Sequence, residues 1–382
     1  MLFQLVIIIC IFTNAYASNK LVSLPLSITS LFQATYFYRN TTVPFSFTNC
    51  TGVNDADNSD PAENKLLKSR NASFISYSTE FKSLIDSNKT PKLIEQQPVS
   101  IPFAHEGGAY VPETNEVWFS ANQLPQQNTN VSSINLTTNE VTLLNINNPI
   151  NTPNGIKYFN SLVYVCSQGT KTIPAAIYAV NPTTLVSKVI VNSWFGYRLN
   201  SPNDVTFSTK ISGKTFMWFT DPQVAYQQGF AGVPEYQNTV FRYDMLTSEL
   251  RPVITDLITP NGIAFNQEET VLYVSDTTPT SDIAIVYAYD LTKDGLPMNR
   301  RIFSVSSYGI PDGIKVDKYD RVWTAEGDGI NVRNSYGTLL GVILGYNLSS
   351  NGLISNFELK DNTVIILAQE KLWRLDLAQN VL

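Results

Sequence analysis

The sequence predicts an all-β fold: a six-bladed β-propeller preceded by an irregular N-terminal extension. Strand-like alternation of apolar and polar residues runs continuously from about residue 96, without a long stretch of helical period. A Pro followed by Asn or Asp stands before a short apolar strand in four places: residues 152–156 (TPNGI), 201–205 (SPNDV), 259–263 (TPNGI) and 310–314 (IPDGI). Intervals of about 50 residues in an all-strand chain are typical of four-stranded propeller blades, and residues 96–382 accommodate six. The alternatives are a solenoid or two sandwiches, and neither explains a polar residue recurring in one slot.

The first residues have the pattern of a secretory signal peptide. A largely apolar run extends from Leu2 to Phe12, and small residues follow at Ala15 and Ala17. The run is shorter than the roughly 20 residues that a membrane span needs, although it lacks the usual basic residue before it. We expect residues 1–17 to be removed after Ala17; the alternative is a buried N-terminal strand.

Glycosylation sequons support a secreted, extracellular protein. Residues 18–95 are rich in Asn, Ser and Thr, and we interpret them as a glycosylated extension of the propeller (96–382) and not as an independent domain. Asn-x-Ser/Thr sequons without Pro at x start at Asn40, Asn49, Asn71, Asn88, Asn130, Asn135 and Asn347. N-linked glycans are therefore expected.

Composition restricts the class of partner. The chain has 382 residues, 43% of them hydrophobic, which is ample for a sizeable core. Its net charge is −6, so phosphate-rich nucleic acids and anionic membrane surfaces are poor candidates as partners. After signal cleavage no membrane association is expected.

Two cysteines remain after removal of the signal peptide. Cys50 and Cys166 could form one disulfide in an oxidising compartment. Cys166 lies inside the apolar stretch LVYVCS, so a buried free thiol is an equal alternative.

We call the polar positions that recur at about 50-residue intervals slots. A propeller would bring their side-chain oxygens to one mouth of its channel. The slot residues are Glu106, Asn154, Asn203, Asn261 and Asp312, with Asp204 beside Asn203. Carboxylates and amide oxygens suit a hard divalent cation such as Ca²⁺, whereas Zn²⁺ would prefer His and Cys, and this chain has 1 His. The alternative is that Asn and Asp occur there only as turn formers.

Five motifs in this order resemble the senescence marker protein 30/gluconolactonase family, most of all its secreted fungal lactonohydrolases. They are FAHEGGAYVPETNEVWFSAN, SPNDVTF…FMWFTDP, TPNGIAFNQEETVLYVSDT, PDGIKVDKYDRVWTAEGDG and GTLLGVI, and the resemblance covers about residues 71–377. It implies a six-bladed propeller with one divalent cation, usually Ca²⁺, with Zn²⁺, Mg²⁺ or Mn²⁺ as other candidates. The implied ligands are Glu106, Asn203, Asn261 and Asp312. FTDPQVAYQQGF and EGGAY depart from the family pattern beside the pocket, which puts the choice of substrate in doubt.

The resemblance also implies lactone hydrolysis, with Asp312 as the base that assists water. Asn154, Asp204 and His105 are candidate substrate-binding residues. Imidazole titrates near neutrality, so His105 could also act as a base. Strand alternation, however, predicts that it points away from Glu106, as a packing residue.

Two other functions remain open on the sequence. Propellers host many unrelated activities, so the chain could be a non-catalytic secreted module that binds a protein or a glycan. It could also be a metal-dependent hydrolase of aryl esters or phosphotriesters instead of lactones.

Overall fold

The computed structural model describes residues 20–26, 61–69, 71–122, 130–277, 284–306 and 309–382. The predicted signal peptide (1–17), Cys50 and the sequons at Asn40 and Asn49 lie outside these residues. Within the described ranges, no helix has both the length and the apolar character needed to cross a membrane.

Six antiparallel sheets, which we call blades 1 to 6, surround a channel and confirm the predicted propeller. The first strand of each blade packs against the first strands of its neighbours, so these strands line the channel. Blade 1 comprises Glu106–Val111, Glu116–Ser120, Val131–Asn135 and Val141–Leu143. Blade 2 comprises Pro153–Phe159, Leu162–Ser167, Ala176–Val180 and Ser187–Val191. Blade 3 comprises Val205–Ser208, Phe216–Asp221, Thr239–Asp244 and Leu250–Ile254.

The second half of the ring repeats this arrangement. Blade 4 comprises Pro260–Phe265, Val271–Asp276, Ile285–Leu291 and Pro297–Val305. Blade 5 comprises Ile314–Val316, Val322–Glu326, Gly329–Arg333 and Leu339–Leu344. Blade 6 comprises Asn356–Lys360, Thr363–Ala368, Lys371–Asp376 and, from the other end of the propeller sequence, Lys92–Gln96. That last strand closes the ring, because it pairs with Lys371–Asp376, and it spans the predicted boundary between extension and propeller.

The described parts of the N-terminal extension pack against blade 5. Strand Phe74–Ser76 pairs with Leu339–Leu344, and strand Leu21–Ser23 adds to it in parallel. Other elements are the helices Pro61–Lys68, Thr79–Leu84 and Val224–Gln227, the 3₁₀ turn Ile211–Gly213 and the hairpin strands Ser193–Trp194 and Tyr197–Arg198.

The core lies between neighbouring blades. Trp118, Trp218 and Trp323 occupy the same position in three blades and are fully buried, as expected for packing residues. Each indole N–H donates a hydrogen bond, to Glu116, Ser208 and Asp317 respectively. Buried indoles with satisfied N–H groups stabilise the blade interfaces without exposing an unpaired donor.

The glycine after the Asn of a slot has a steric reason. A Cβ at Gly155 would collide with the carbonyl oxygen of Asn203 in the next blade, and a Cβ at Gly262 would collide with that of Asp312. Because the inner strands converge on the channel, only a residue without a side chain fits at these points.

Cys166 is buried in the second strand of blade 2 and forms no disulfide within the described residues. Burial raises the pKa of its thiol well above the usual range, so it stays protonated and packs as a small apolar group.

Candidate active site

One mouth of the channel opens into a cavity of about 610 Å³ that collects the predicted slot residues. It is lined by Glu106, Asn154, Asn203, Asn261 and Asp312, which come from five consecutive blades. Residues separated by about 50 positions in the chain thus meet because each stands at the same point of its blade.

A hydroxyl in one blade holds the slot residue of the next blade. Ser120 donates to the backbone carbonyl oxygen of Asn154 at 2.7 Å, and Thr220 donates to the backbone carbonyl oxygen of Asn261 at 2.6 Å. Ser275 donates to the carbonyl oxygen of Asp312 at 2.9 Å. Each hydroxyl lies at or next to the end of the second strand of its blade, so the three bonds fix the slot backbones from across the blade interface.

Aspartates next to two of these hydroxyls hold the loops before the slots. Asp221 accepts hydrogen bonds from the backbone N–H groups of Asn200 and Ser201 at 2.9 and 2.8 Å. Asp276 does the same for Ile258 and Thr259 at 3.0 and 2.7 Å. In the segments FTDP and VSDT, two adjacent side chains therefore fix the backbone near the candidate ligands. The Asp binds the loop before the slot of its own blade, and the Thr or Ser binds the slot of the next blade.

Four buried oxygens of residues that line this cavity accept no hydrogen bond from the described residues: Asn154 Oδ1, Asn203 Oδ1, Asp312 Oδ1 and Glu326 Oε2. A buried polar atom without a partner costs about 1–3 kcal/mol. Four in one cavity therefore favour the binding of an electropositive partner there. The donor set, oxygen atoms of carboxylates and side-chain amides, is that of a hard cation such as Ca²⁺.

The carboxyl groups also show the effect of uncompensated charge. Burial, with Asp312 nearby, raises the pKa of Glu106 well above its usual range, and a hydrogen bond from Asn356 acts in the opposite direction. Burial and the proximity of Asp204 raise the pKa of Asp312 to about 7. A bound cation would reverse these shifts, because it favours the ionised form.

The described residues include no group of three or more His, Cys, Asp or Glu side chains placed to hold a metal ion. A cation at this mouth would instead be held by two carboxylates, Glu106 and Asp312, together with amide oxygens of Asn203 and Asn261. The residues present thus fit a hard cation and not a His- or Cys-liganded one.

Asp204 does not line this cavity. It occupies the position that glycine takes in blades 2 and 4, so it faces the neighbouring inner strand, and its carboxylate accepts from the N–H groups of Val205 and Ile263 at 2.9 and 3.3 Å. It lines a second cavity of about 300 Å³ further along the channel, together with Lys157, Lys315 and Glu358. Neighbouring residues of a strand point in opposite directions, which separates Asp204 from Asn203.

The orientation predicted for His105 is wrong. Its Nε2 lies 3.6 Å from Glu106 Oε1, and both side chains line the cavity. Strand alternation does not apply, because the first strand of blade 1 begins at Glu106 and His105 precedes it. Burial lowers the pKa of His105 to about 4, so the imidazole is neutral at physiological pH.

Asn356 and Glu326 were not predicted as site residues. Asn356 starts the inner strand of blade 6 and donates to Glu106 Oε2 at 3.2 Å. Glu326 lines the cavity with Oε2 unpaired while Oε1 accepts from Arg333 and Thr324. Asn356 lacks the Pro that directly precedes Asn154, Asn203, Asn261 and Asp312. Glu326, at the end of its blade's second strand, corresponds to Asp221 and Asp276, which was the available signal.

The protein is thus a six-bladed propeller with a cavity at one channel mouth that side-chain oxygens of carboxylates and amides line. The family model described as the SMP-30/gluconolactonase/LRE-like region matches residues 105–344, and the chain belongs to this family.

The individual relatives are between 25% and 32% identical to this chain over the matched residues. The chain is 28% identical over 315 residues to lactonohydrolase oryH of Aspergillus oryzae, which covers 62% of this chain and 66% of that protein. It is 32% identical over 197 residues to the gluconolactonase of Zymomonas mobilis, covering 48% and 51%. The solved structure of a gluconolactonase from Xanthomonas campestris has a TM-score of 0.67 and 25% identity, covering 79% of this chain and 93% of that one. The chain thus spans just under two thirds of the first relative and about half of the second.

Proposed function

We propose that this protein is a secreted hydrolase that opens lactone rings with the help of one divalent cation, Ca²⁺ in the first instance. The observation that carries the proposal is the set of unpaired buried oxygens of Asn154, Asn203 and Asp312 beside Glu106 in a single cavity. The membership of the family and the lactonohydrolases and gluconolactonases among its relatives support the reaction.

The cation would be held by Glu106, Asn203, Asn261 and Asp312, with Asn154 Oδ1 facing the same space. When bound, a divalent cation supplies Lewis acidity toward a carbonyl oxygen. Asp312 is the candidate base that takes a proton from the attacking water, because its carboxylate lies in the cavity and carries an unpaired oxygen. The water oxygen bonds to the carbonyl carbon, the bond from that carbon to the ring oxygen breaks, and the proton taken by Asp312 passes to the ring oxygen, which becomes a hydroxyl.

The cavity lining supports a neutral, hydroxyl-bearing lactone. Gln168, Gln227, Gln228, Thr259 and Thr277 line the space beside the apolar Val224, Ile310, Leu353 and Ile354, and no Lys or Arg is among its described lining residues. Amides and hydroxyls pair well with sugar-like hydroxyl groups, whereas an anionic substrate would find no Lys or Arg in this lining to pair with beside the cation.

A pH-indicator screen tests the activity. Sugar lactones, pantoyl lactone, an aryl ester and a phosphotriester are offered with calcium and with EDTA, and we expect calcium-dependent acid release from the sugar lactones. Turnover of only the aryl ester or the phosphotriester would replace the lactone with that substrate. No turnover of any compound would favour the non-catalytic binding module.

Secretion and N-glycosylation belong to the same proposal. Asn71, Asn88, Asn130 and Asn347 are exposed, so the sequons they start are accessible to the glycosylation machinery. Mass spectrometry of the secreted protein, before and after deglycosylation, should show a mature chain that starts near Ser18 and loses mass. A cytosolic, unglycosylated chain that retains Met1 would contradict this.

A further inference from the structure

The only histidine of the chain is held on one side by two polar side chains. His105 Nδ1 lies 2.8 Å from Gln369 Nε2 and 3.0 Å from Ser355 Oγ. Gln369 Nε2 also donates to Ser355 Oγ at 2.8 Å. Gln369 itself is fixed by paired backbone hydrogen bonds with Ala104, each 2.9 Å long.

These contacts decide which ring nitrogen carries the proton. An amide nitrogen can only donate, so Nδ1 must accept from Gln369, and in a neutral imidazole the other nitrogen then carries the hydrogen. The opposite side of the ring agrees, because Nε2 faces Glu106 Oε1 at 3.6 Å. At 3.6 Å this contact is too long for a hydrogen bond, so the donor at Nδ1 decides the Nε2–H form, with which an acceptor oxygen beside Nε2 is compatible.

We propose that His105 presents an Nε2–H hydrogen-bond donor to the cavity, where it contacts an oxygen of the bound lactone, and that Gln369 is the positioning residue that fixes this tautomer. The identity of the ligand rests on the proposed function; the tautomer does not. Two consequences follow. An Nε2 that carries a hydrogen cannot take a proton from water, and it cannot coordinate a metal ion. His105 is therefore neither the base nor a ligand, and recognition of substrate is the role left to it.

Nitrogen NMR of protein labelled with [¹⁵N]histidine tests the tautomer directly, because the chain gives only one imidazole. We expect a pyrrole-type Nε2 and a pyridine-type Nδ1 in the unmodified protein, assigned from their couplings to the two ring carbon protons. Gln369→Glu replaces the donor by an acceptor and should move the hydrogen to Nδ1. The matched variant Gln379→Glu, whose side chain contacts Arg321 instead, should leave the spectrum unchanged.

A pyridine-type Nε2 in the unmodified protein would overturn the assignment. A Gln369→Glu spectrum identical to that of the unmodified protein would overturn the role of Gln369. Neither result depends on enzymatic activity, so the tautomer is decided even if no lactone is hydrolysed, and failure of the proposed function remains distinguishable.

The contact with substrate is tested by kinetics once a hydrolysed lactone is known. A neutral hydrogen bond corresponds to roughly a tenfold effect, so His105→Leu should lower kcat/KM about tenfold. His105→Gln keeps an N–H donor and should recover most of the loss. Equal kcat/KM in His105→Leu and the unmodified protein, with melting curves showing both folded, would overturn the contact.

Discussion

The two cavities along the channel both contain buried carboxylates, but only the second cavity has Lys side chains among its described lining residues. At the second cavity, which Asp204, Lys157, Lys315 and Glu358 line, Lys315 Nζ lies 3.6 Å from Glu358 Oε2, and Asp204 accepts two backbone N–H groups. At the channel mouth, Glu106 and Asp312 share a cavity whose described lining includes no Lys or Arg.

This difference separates charge that the protein balances itself from charge that it leaves for a ligand. Burial raises the pKa of Asp204 and Glu358, and Lys315 acts against that shift in both cases. At the mouth, Lys315 is the weakest of the influences on the pKa of Glu106, and no Lys or Arg is among the described lining residues. Four buried oxygens of the mouth accept no hydrogen bond from the described residues, whereas the one such oxygen of the second cavity, Glu358 Oε2, has Lys315 Nζ at 3.6 Å. An unbalanced site of this kind is expensive to keep unless a cation binds there.

The largest expected effect contrasts one aspartate from each cavity. Asp312→Asn keeps a carbonyl oxygen of similar shape but cannot accept a proton, so lactone turnover should fall roughly 10²–10⁴-fold while the fold survives. Asp204→Asn keeps an acceptor for the Val205 N–H and lies outside the mouth cavity, so its loss should be much smaller. Initial rates and melting curves of both variants check this. Similar losses in the two would contradict the separation of the cavities.

Substitutions in the second cavity should change the free energy of unfolding more than the turnover of substrate. Lys315→Met leaves Glu358 without its charged partner; both side chains are 11% exposed, so we expect a loss of about 3 kcal/mol in the free energy of unfolding. Urea unfolding measures it.

The double variant Lys315→Met with Glu358→Leu removes both charges and should recover part of that loss. A double variant as unstable as the sum of its single changes would show that the two charges do not interact.

The mouth should respond to calcium. Because the ion binds the folded chain, a hundredfold excess over Kd should add about 2.7 kcal/mol to the free energy of unfolding relative to EDTA. Urea unfolding under the two conditions measures the difference. Glu106→Gln should reduce it, whereas Lys315→Met should retain it. Identical unfolding curves with calcium and EDTA in the unmodified protein would contradict a cation site.

The smallest expected effect concerns the hydroxyls that hold the slots. Ser275→Ala removes the bond to the Asp312 carbonyl and should cost about 1 kcal/mol of stability, with weaker calcium binding. Ser83→Ala removes an exposed hydroxyl bonded only within its own helix turn and serves as the control. Calcium titrations of both variants should differ; equal affinities would show that Ser275 does not position Asp312.

The sequence by itself determined the architecture and most of the mouth. Strand alternation and the spacing of the Pro-Asn/Asp slots are local signals, repeated along the chain, and they predicted the propeller and the shared cavity of Glu106, Asn154, Asn203, Asn261 and Asp312. Such signals can be recognised because they repeat: each blade needs residues of the same size and hydrogen-bonding type at the same positions.

Only the tertiary structure decided which way individual side chains face and what touches them across blades. Asp204 turns away from Asn203 because it stands where the inner strands come closest, and His105 turns toward Glu106 because the strand has not yet begun. The bonds of Ser275 to Asp312 and of Gln369 to His105 join residues 37 and 264 positions apart. Contacts of this kind depend on how blades pack and on where the ring closes, and no local pattern in the chain encodes them.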